Sequence, residues 1–373
     1  MIDRYTLPKM QKIWSDETRF FKYSVFHHAY LQAILGRSVI LTNLDPNMDR
    51  IKELEAITRH EMQASLLEFE TRIDSEDSRA KAFIHKHLTS SDVIDTVLSH
   101  TIGEAAFLLR GQITSCIDTL SNIITESANL RTIGRTHGRH ATPMEFATRF
   151  KREASDLIQV CNDLWEDTRL PGKLNGPVGE QDFSNEIVEQ LNSNFNLEYF
   201  VAAGYTSQAL SRHLHSKVIY DLALLGSLVE RLVTNIRLLS FNEIDELSEP
   251  FSKGQAGSSS MPHKKNPIGC ENLVGIARLL RSYVTPSLEN VPLWLERDMS
   301  HSSVERVILP DAFNLAYYMF VRLEEILIGL NINRNSINRN LHAYTGNSYQ
   351  DVAETSLPRS EAYSQVQNKY HGT

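Results

Sequence analysis

The segment from Lys253 to Pro267, KGQAGSSSMPHKKNP, combines groups suited to proton transfer and anion binding. Its first half is rich in glycine and serine, a composition typical of flexible loops. Its second half supplies an imidazole, two ammonium groups and an amide directly before a proline. Because proline favours the first turn of a helix, we expect a helix to begin here, with open backbone N–H groups that attract an anion.

Three other segments concentrate polar side chains: RHE at 59–61, HKHLTSSDVID at 85–95 and GRTHGRHATPME at 134–145. Within them, Thr89–Asp92 and Thr142–Glu145 have the residue types of helix N-caps, so we predict helix starts at both. Taken singly, a histidine in a loop is more often a solvated polar residue than a catalytic group. The four segments together are the candidates for chemistry.

Several better-known sites are excluded by spacing. The sequence HEMQA at 60–64 has alanine where a zinc-protease helix needs its second histidine. GSSS at 257–260 lacks the Gly-x-Ser-x-Gly spacing of a nucleophile elbow, and the lysine pair lacks the flanking residues of a P-loop. No carboxylate or cysteine completes a metal site with His60, His85 and His87. The remaining set favours general acid and base catalysis on a polyanionic substrate.

Helices must position these segments, because apolar residues recur every three or four positions through most of the chain. No proline interrupts residues 209–240, so we predict one long helix there, of a length typical of helix bundles. Residues 113–124 and 273–283 carry similar stripes, and residues 311–330 are apolar on most faces. Residues 170–185 are rich in Gly, Pro and Asn and predict a loop. Strand patterns are sparse.

Composition indicates an ordinary globular protein of 373 residues, 41% hydrophobic and 23% charged. The net charge of −8 argues against nucleic acid as a partner. No segment resembles a signal peptide or a membrane span, and three widely spaced cysteines favour a reducing compartment. We therefore expect a cytoplasmic protein.

The segment GSSSMPHKKNP resembles the signature of the fumarase/aspartase/argininosuccinate lyase superfamily, Gly-Ser-Ser-x-Met-Pro-x-Lys-x-Asn-Pro. The segments IDRYTLPKMQKIWSDE, TRHE, LTSSDVIDT, GRTHGRHATPMEF and ENVPLWLERDMSHSSVERVILPDA are similar to the adenylosuccinate lyase branch. The similarity runs from Ile2 to about Gln367. Two residues depart from it, Glu61 in place of a usual Asp and His87 in place of a common Gly. The sequence also stops where relatives continue, so the C-terminal region is expected to be shortened or truncated.

The resemblance implies an all-α, three-lobed, elongated helical protein whose central bundle of long helices forms the core of a homotetramer. It implies an N-terminal domain at 1–87, a central domain at 88–336 carrying the signature loop, and a C-terminal region at 337–373. The implied partner is a small nucleotide substrate, bound in active sites shared between subunits. No metal or cofactor, nucleic acid or membrane is implied.

The implied reaction, part of purine biosynthesis, is anti β-elimination of fumarate from adenylosuccinate to give AMP, and also from the succinyl-carboxamide ribotide. By the resemblance, Ser258 is the base and His137 the acid, with Glu271 as the partner of His137 and His60 assisting. A serine hydroxyl needs positive potential to act as a base, which Lys264, backbone N–H groups and the following helix start would supply. The implied substrate-binding residues are Arg4, Tyr5, Arg59, His85, Thr89, Ser90, Gln208, Ser259, Lys265, Asn266, Arg297, Ser302 and Arg306.

Two alternatives stay open from the sequence. One is a related lyase or cycloisomerase that acts on a deoxy- or modified-purine succinyl compound or on another dicarboxylate. The other is a catalytically inactive scaffold protein that keeps the helical bundle. Turnover of adenylosuccinate, with release of fumarate, separates these from the leading interpretation.

Overall fold

A computed structural model describes residues 2–252, 254–255, 257–344, 346 and 348–371. Helices dominate these residues, which confirms the all-α prediction. Within this part of the chain, every helix is too short or too polar to cross a membrane. The α-helices are α1 (Pro8–Ile13), α2 (Asp16–Leu35), α3 (Met48–Thr58), α4 (Glu61–Arg72), α5 (Ser78–Phe83), α6 (Ser90–Glu126), α7 (Thr148–Asp167), α8 (Asn185–Phe195), α9 (His213–Leu239), α10 (Ile268–Ser282), α11 (Val284–Glu289), α12 (Ser300–Ile328), α13 (Arg334–His342), α14 (Ser348–Glu354) and α15 (Arg359–His371).

Four short strands form two antiparallel pairs. Strand β1 (Arg131–Thr136) pairs with β2 (Arg139–Glu145), and β3 (Leu247–Ser248) pairs with β4 (Asn331–Ile332). The described residues pack as two compact units. Unit 1 draws on Met1–Thr114, Gln159–Ser227 and Gly275–Val321, and unit 2 on Ser115–Ile158, Leu228–Val274 and Arg322–Thr373.

Unit 1 has a core of aromatic and aliphatic side chains centred on α2. Phe26 and Tyr30 are fully buried, and the ring centroid of Phe26 lies 6.0 Å from that of Phe195 on α8. The sequence delimits α2 at both ends. Ser15 accepts a hydrogen bond from the N–H of Thr18, and Gly36 ends the helix in the left-handed conformation, with a φ of 61°. A rigid α2 thereby supports the residues around it.

Unit 2 contains the β1–β2 hairpin, the signature segment and the C-terminal helices. On α9, the side chains of Val229, Leu232, Val233 and Ile236 are buried at the three- and four-residue spacing of a helix face. This spacing is the pattern from which the long helix was predicted, and α9 confirms that prediction from His213 to Leu239. Residues 170–184 contain no helix, as predicted for the loop.

The predicted helix start at Thr142–Glu145 is wrong. These residues lie in β2, where Pro143 is opposite Ile133 and Glu145 is opposite Arg131, and helix α7 begins only at Thr148. A Thr-Pro pair suits an edge strand as well as a helix start, because proline lacks only one ladder hydrogen bond. The hairpin pairing with β1, which lies outside the four-residue motif, decides between the two.

The three-domain division remains a prediction. The predicted boundary at residues 87–88 falls between α5 and α6, whereas the predicted boundary at 336–337 lies inside α13. The two compact units divide α6, α7, α9, α10 and α12 internally. The expected tetramer core likewise remains a prediction.

Candidate active site

Unit 1 contains a cavity of about 630 Å³, within the range of small-molecule sites. Residues from α1, α2, α3, α4, α6 and α12 line it, together with the segments that precede α2, α9 and α12. It gathers predicted residues that are far apart in sequence. Those in its lining are Arg59, His60, Ser90, Arg297, Ser302 and Arg306.

Two of these lie at the junction of α3 and α4. Arg59 adopts the left-handed conformation, with a φ of 51°, and ends α3. His60 is the N-cap of α4, and its Nδ1 accepts a hydrogen bond from the N–H of Gln63 at 3.2 Å. A neutral imidazole that accepts at Nδ1 carries its proton at Nε2. His60 can therefore donate a hydrogen bond to a substrate oxygen from Nε2.

Glu61 is a buried carboxylate in the cavity wall. Its oxygens lie 2.5 Å from Arg306 Nη2, 3.6 Å from Arg19 Nη1 and 3.1 Å from the Tyr23 hydroxyl. Burying a carboxylate is unfavourable unless donors surround it, and these three groups supply them. Arg306, predicted to bind substrate, is half-exposed and is held by Glu61 at one nitrogen. Within the described part of the chain, only its Nη2 is bonded, so Nη1 and Nε can donate to an anion.

A second ionic cluster lies deeper in the same lining. Arg212 makes a two-pronged ion pair with Asp95, both bonds being 3.0 Å, and its Nε lies 3.0 Å from Glu305. His215 Nδ1 also lies 2.9 Å from Glu305. Burial opposes ionisation of both carboxyl groups, but Arg212 and His215 outweigh it and hold the pKa of Asp95 and of Glu305 below the ordinary value. Both acids are thus carboxylates in the folded protein.

Gln208 connects the lining to the neighbouring loop. Its Oε1 accepts a hydrogen bond from Arg297 Nη1 at 3.0 Å, and its Nε2 donates to the carbonyl of Pro177 at 2.9 Å. At the start of α6, the N–H of Thr89 donates to the carboxylate of Asp92 at 2.7 Å, which confirms the predicted cap. Ser90 begins the helix and reaches the cavity lining.

Five predicted residues of unit 1 are outside the lining. Arg4 and Tyr5 form a short 3-10 turn, in which the ring of Tyr5 contacts that of Tyr318. His85 is half-buried between α5 and α6. The full set outside the lining is Arg4, Tyr5, His85, Thr89 and Gln208.

Unit 2 carries the signature segment and the candidate base. The Oγ of Ser258 accepts hydrogen bonds from the N–H groups of Met261, at 3.1 Å, and Ser260, at 3.4 Å. Asn266 Nδ2 donates to the carbonyl of Gly257 at 2.8 Å and closes the segment into a compact loop. A Cβ atom at position 257 would lie 2.0 Å from the carbonyl oxygen of Lys264, so only glycine fits there.

The start of α10 does not offer the open N–H groups expected from the sequence. The carboxylate of Glu249 accepts hydrogen bonds from the N–H groups of Gly269 and Cys270, both at 3.0 Å. That prediction is wrong for these two groups, because an acidic side chain of the protein already occupies them. The loop supplies two N–H groups to Ser258, and the side chain of Lys264, the other predicted source of positive potential, is exposed.

His137 lies at the tip of the β1–β2 hairpin. His137 and Gly138 form a two-residue turn in which both φ angles are positive, 51° and 75°, the geometry that matches the twist of a hairpin. The tip is exposed, and a bulge lies between Ile133 and Arg135. The candidate acid is therefore presented outward on a turn whose conformation is set by its backbone.

A buried carboxylate anchors this hairpin close to its turn. Glu246 is fully buried and accepts hydrogen bonds from Arg135 Nη2 at 2.8 Å and from Asn340 Nδ2 at 3.0 Å. The guanidinium of Arg149 lies 3.6 Å away. The hairpin is thus tied to α7, α13 and the segment before β3.

The remaining candidates in unit 2 are on the surface. Glu271 lies 3.5 Å from Arg237, and Lys265 Nζ lies 5.4 Å from the centre of the Phe251 ring. Ser259 is exposed. Among the described residues, no hydrogen bond or ion pair joins His137 to Ser258, Lys264 or Glu271.

Several charged residues of the lining are not among the predicted site residues, although Asp95 ends the polar segment at 85–95. Asp95, Arg212, Glu305 and His301 belong to three different stretches, and no local spacing relates them. His301 is buried, and burial lowers the pKa of its imidazole. In the segment HSSVER at 301–306, His301 and Glu305 accompany the predicted Ser302 and Arg306, and this clustering is the signal that indicates them.

The chain matches the model of the family described as Lyase over residues 40–280. It is 35% identical to the adenylosuccinate lyase of Thermotoga maritima, over 98% of this chain and 87% of that protein. It is also 35% identical to the adenylosuccinate lyase of Bacillus subtilis, over 99% of this chain and 88% of that protein. The adenylosuccinate lyase of Deinococcus radiodurans is 36% identical, over 98% of this chain and 88% of that protein.

Solved structures show the same fold. A 3-carboxy-cis,cis-muconate lactonizing enzyme from Pseudomonas putida superposes with a TM-score of 0.83 at 22% identity, covering 98% of this chain and 85% of that one. A fumarate lyase from Mesorhizobium sp. BNC1 superposes with a TM-score of 0.82 at 20% identity, covering 100% and 89%. At these identities the similarity concerns the fold alone.

Proposed function

This chain belongs to the lyase family and, within it, to the adenylosuccinate lyases, and we infer that it cleaves adenylosuccinate to AMP and fumarate. The observation that carries this conclusion is the identity of 34 to 36% to curated adenylosuccinate lyases over nearly the whole chain. The enzyme is thus a carbon–nitrogen lyase. We extend the proposal to the succinyl-carboxamide ribotide, which presents the same succinyl-amine group.

The reaction is an elimination that moves two protons and two electron pairs, the C–H pair becoming the new double bond and the C–N pair leaving with the nitrogen. A base removes a proton from the carbon next to a carboxylate, the electron pair forms the double bond of fumarate, and the carbon–nitrogen bond breaks. The nitrogen that leaves then gains a proton. Elimination with anti geometry requires the base and the acid on opposite faces of the substrate.

We assign the base to Ser258. Two backbone N–H groups already donate to its Oγ, at 3.1 and 3.4 Å, and such donors stabilise negative charge on the oxygen. The ammonium group of Lys264 adds positive charge. Together they lower the energy of the alkoxide, which is the form of serine able to accept the proton.

We assign the acid to His137. Its exposed position on a hairpin tip, which Arg135 ties to the buried Glu246, suits a group that must meet a substrate. Glu271 is the proposed partner that stabilises the imidazolium of His137. The pairing of Glu271 with Arg237 at 3.5 Å is long enough to be exchanged for such a partner.

We propose that the unit 1 cavity receives the anionic part of the substrate. The substrate carries roughly four negative charges, two on phosphate and two on carboxylates. The protein has a net charge of −8, so cations must be concentrated locally. Arg59, Arg297 and Arg306 supply them in the lining, and Ser90, Ser302 and the Nε2 of His60 supply neutral donors.

We further propose a homotetramer whose active sites combine residues of different subunits. The family resemblance supports it, as does the lack of any bond from His137 to Ser258, Lys264 or Glu271 within the described residues of one chain. Mixing a Ser258→Ala variant with a His137→Gln variant, after dissociation and reassembly, should restore part of the activity. Two inactive variants that stay inactive after mixing would contradict shared sites.

The function is tested by incubating purified protein with adenylosuccinate and following its ultraviolet absorbance and the release of fumarate. Stoichiometric AMP and fumarate are expected, and the carboxamide ribotide should also yield fumarate. A folded, assembled sample that releases no fumarate from adenylosuccinate would contradict the proposed function.

A further inference from the structure

A second cavity lies in unit 1, beside the candidate active site. Its volume is about 960 Å³, enough for a small organic molecule. Its walls come from α1, the first half of α6, the C-terminal end of α7 and the segment that follows α8. Within the part of the chain that the structure describes, none of the predicted site residues lines it. The proposed reaction therefore leaves this cavity without a role.

Aromatic and aliphatic side chains form part of the lining of the second cavity. Phe107 on α6 is 71% exposed, and its ring centroid lies 6.5 Å from that of Trp165 on α7. The guanidinium of Arg110 lies 4.5 Å from the centre of the Trp165 ring, a cation–π contact that orients the indole. Buried Leu170 and Leu197 also line the cavity. These side chains suit the flat apolar body of an aromatic ligand.

The unbalanced charge of this lining is positive. Its two carboxylates, Glu104 and Glu198, are each held in an ion pair by a lysine or an arginine of the protein. Lys9 and Lys12 lie one turn apart on α1 and are exposed. Among the described residues, neither of their ammonium groups has a side-chain partner. Two neighbouring ammonium groups attract a compact anionic group.

A buried hydroxyl in the same lining has no partner. Other hydroxyls on α6, such as those of Thr101 and Thr114, donate to the backbone carbonyl four residues earlier. Ser99 is only 1% exposed, and its Oγ makes no hydrogen bond with any described residue. A buried hydroxyl without a partner is unfavourable, so a ligand that reaches it gains a hydrogen bond without breaking one in the protein.

A buried lysine connects the second cavity to the candidate active site. Lys22 donates a hydrogen bond to Thr101 Oγ1 at 2.8 Å and forms an ion pair with Glu104. Thr101 lines the candidate active site, Glu104 lines the second cavity, and Ile13 lines both. A ligand in the second cavity therefore contacts a residue that is bonded, through Lys22, to the wall of the first.

We propose that the second cavity binds a small organic anion with a flat aromatic or heteroaromatic body, and that this ligand acts through Lys22 as an effector of the lyase. Lys9 and Lys12 neutralise the anionic group. Phe107 and Trp165 contact the ring system. The binding site does not depend on the proposed function, whereas the effector role rests on it.

Binding is tested with anilinonaphthalene sulfonate, a fluorescent aryl sulfonate, added to the assembled protein. One saturable site per chain is expected. Phe107→Ala should weaken the affinity by about tenfold through lost apolar contact, and the double variant Lys9→Gln/Lys12→Gln by about tenfold through lost charge. The matched controls, Phe241→Ala and Lys52→Gln, change an exposed phenylalanine of unit 2 and an exposed lysine of α3 and should leave the affinity unchanged. No saturable binding, or equal affinity in Phe107→Ala and Phe241→Ala, would overturn the site.

Further probes separate the contribution of the ring from that of the charge. N-phenylnaphthylamine has the same ring system without the sulfonate, so it should bind about tenfold more weakly and should not respond to Lys9→Gln/Lys12→Gln. Sulfate, which has the charge without the ring, should not displace the dye. Displacement by sulfate would reduce the site to a simple anion site and contradict the proposed ligand class.

Competition experiments distinguish two sources of such a ligand. GMP represents the nucleotides, whose planar base and phosphate meet both requirements, and anthranilate represents the aryl carboxylates. Displacement of the dye by one of them identifies the source and supports the proposal. Failure of both compounds to displace the dye at millimolar concentration would contradict it.

Kinetics test the link to the active site. With adenylosuccinate as substrate, saturating dye should change kcat/KM by about fivefold and then reach a plateau, because the two ligands occupy different cavities. Thr101→Val removes the hydroxyl that Lys22 contacts, so it should bind the dye normally and lose the effect. Unchanged kinetics at saturating dye would contradict the effector role. Complete inhibition that excess substrate reverses would place the dye in the active site and overturn the inference.

The failure of this inference and the failure of the proposed function give different results. A protein that binds the dye as expected but releases no fumarate would contradict the proposed function, and with it the effector role, while the binding site would stand. A protein that turns over adenylosuccinate but binds no dye would contradict the second site alone.

Discussion

The ammonium group of Lys173 and the carboxylate of Asp92 lie 2.6 Å apart, and both side chains are fully buried. The same carboxylate accepts hydrogen bonds from the N–H groups of Thr89, Asn175 and Gly176. One acid thus fixes the start of α6, which brings Ser90 to the cavity, against the loop that follows α7. The integrity of the candidate site depends on a pair that itself touches no substrate.

Lys173→Met should destabilise the protein by about 3 to 5 kcal/mol, because it leaves the carboxylate of Asp92 buried without its counter-ion. Thermal unfolding at fixed protein concentration measures the effect. The control is Lys217→Met, which removes an exposed pair with Asp167 and should cost less than about 1 kcal/mol. Equal losses in the two variants would show that burial of the pair is unimportant.

Ser258→Ala should reduce kcat by about 10² to 10⁴, the range typical of a lost general base, with helical content and assembly unchanged. Ser260→Ala is the control, because its backbone N–H still donates to position 258 while its own hydroxyl has no assigned role. Steady-state turnover of adenylosuccinate measures both. A Ser258→Ala enzyme that keeps full turnover would remove Ser258 from the role of base.

His60→Asn separates the structural and chemical roles of His60. An asparagine oxygen can still cap the N–H of Gln63, so the melting temperature should change little, whereas the Nε2 donor is lost and kcat/KM should fall about tenfold or more. His60→Ala removes both groups and should also lose about 1 kcal/mol of stability. The assignment fails if His60→Asn is as active as the wild type.

Glu61→Gln should raise KM for adenylosuccinate by about three- to tenfold with a smaller change in kcat, because Arg306 loses the carboxylate that holds it in the cavity wall. Glu53→Gln, on the exposed face of α3 and paired with Arg50, is the control and should change neither constant. An unchanged KM in Glu61→Gln would mean that Arg306 keeps its position by other contacts.

Stability should fall with rising pH through the titration of Asp221. Burial first, then the nearby Asp167, raise the pKa of this carboxyl from about 3.9 in an unfolded chain to about 7. Between these two pH values, the folded protein therefore holds a proton that the unfolded chain has released. The contribution of Asp221 to the free energy of unfolding is fully present below pH 4 and is lost as the pH rises through 7.

Asp221→Asn, which cannot ionise, should remove this dependence. Relative to the wild type it should gain stability steadily from pH 4 to 7, reaching on the order of a few kcal/mol at pH 8. Melting temperatures measured across this range give the result. Parallel curves for the variant and the wild type would show that Asp221 ionises normally.

The sequence predicts the helices of this protein well where many residues repeat one pattern. The prediction of α9 rests on eight apolar residues spaced three or four positions apart, a pattern that rarely arises by chance. The Thr142–Glu145 segment rests on a single local motif, and pairing with β1 overrides it. The difference is physical: a helix face is a local property, whereas a strand is defined by a partner elsewhere in the chain.

The candidate site likewise contains residues that local motifs predict and residues that no local motif indicates. Arg59, His60 and Ser90 belong to short motifs that a reader of the sequence can select, and they do line the cavity. Arg212 lies directly before α9 and belongs to no motif, so it becomes recognisable only when the fold brings it to Asp95 on α6.

The carboxylate of Glu249 at the start of α10 has a consequence for the response of the protein to salts. A helix start usually attracts sulfate or phosphate from the buffer, but here two of its N–H groups are already saturated by an acid of the same chain. Multivalent anions therefore find few free N–H donors at this helix start. The effect of added sulfate or phosphate on the activity should instead reflect binding to the arginines of the unit 1 cavity. Glu249 makes the signature helix insensitive to the ionic composition of its surroundings.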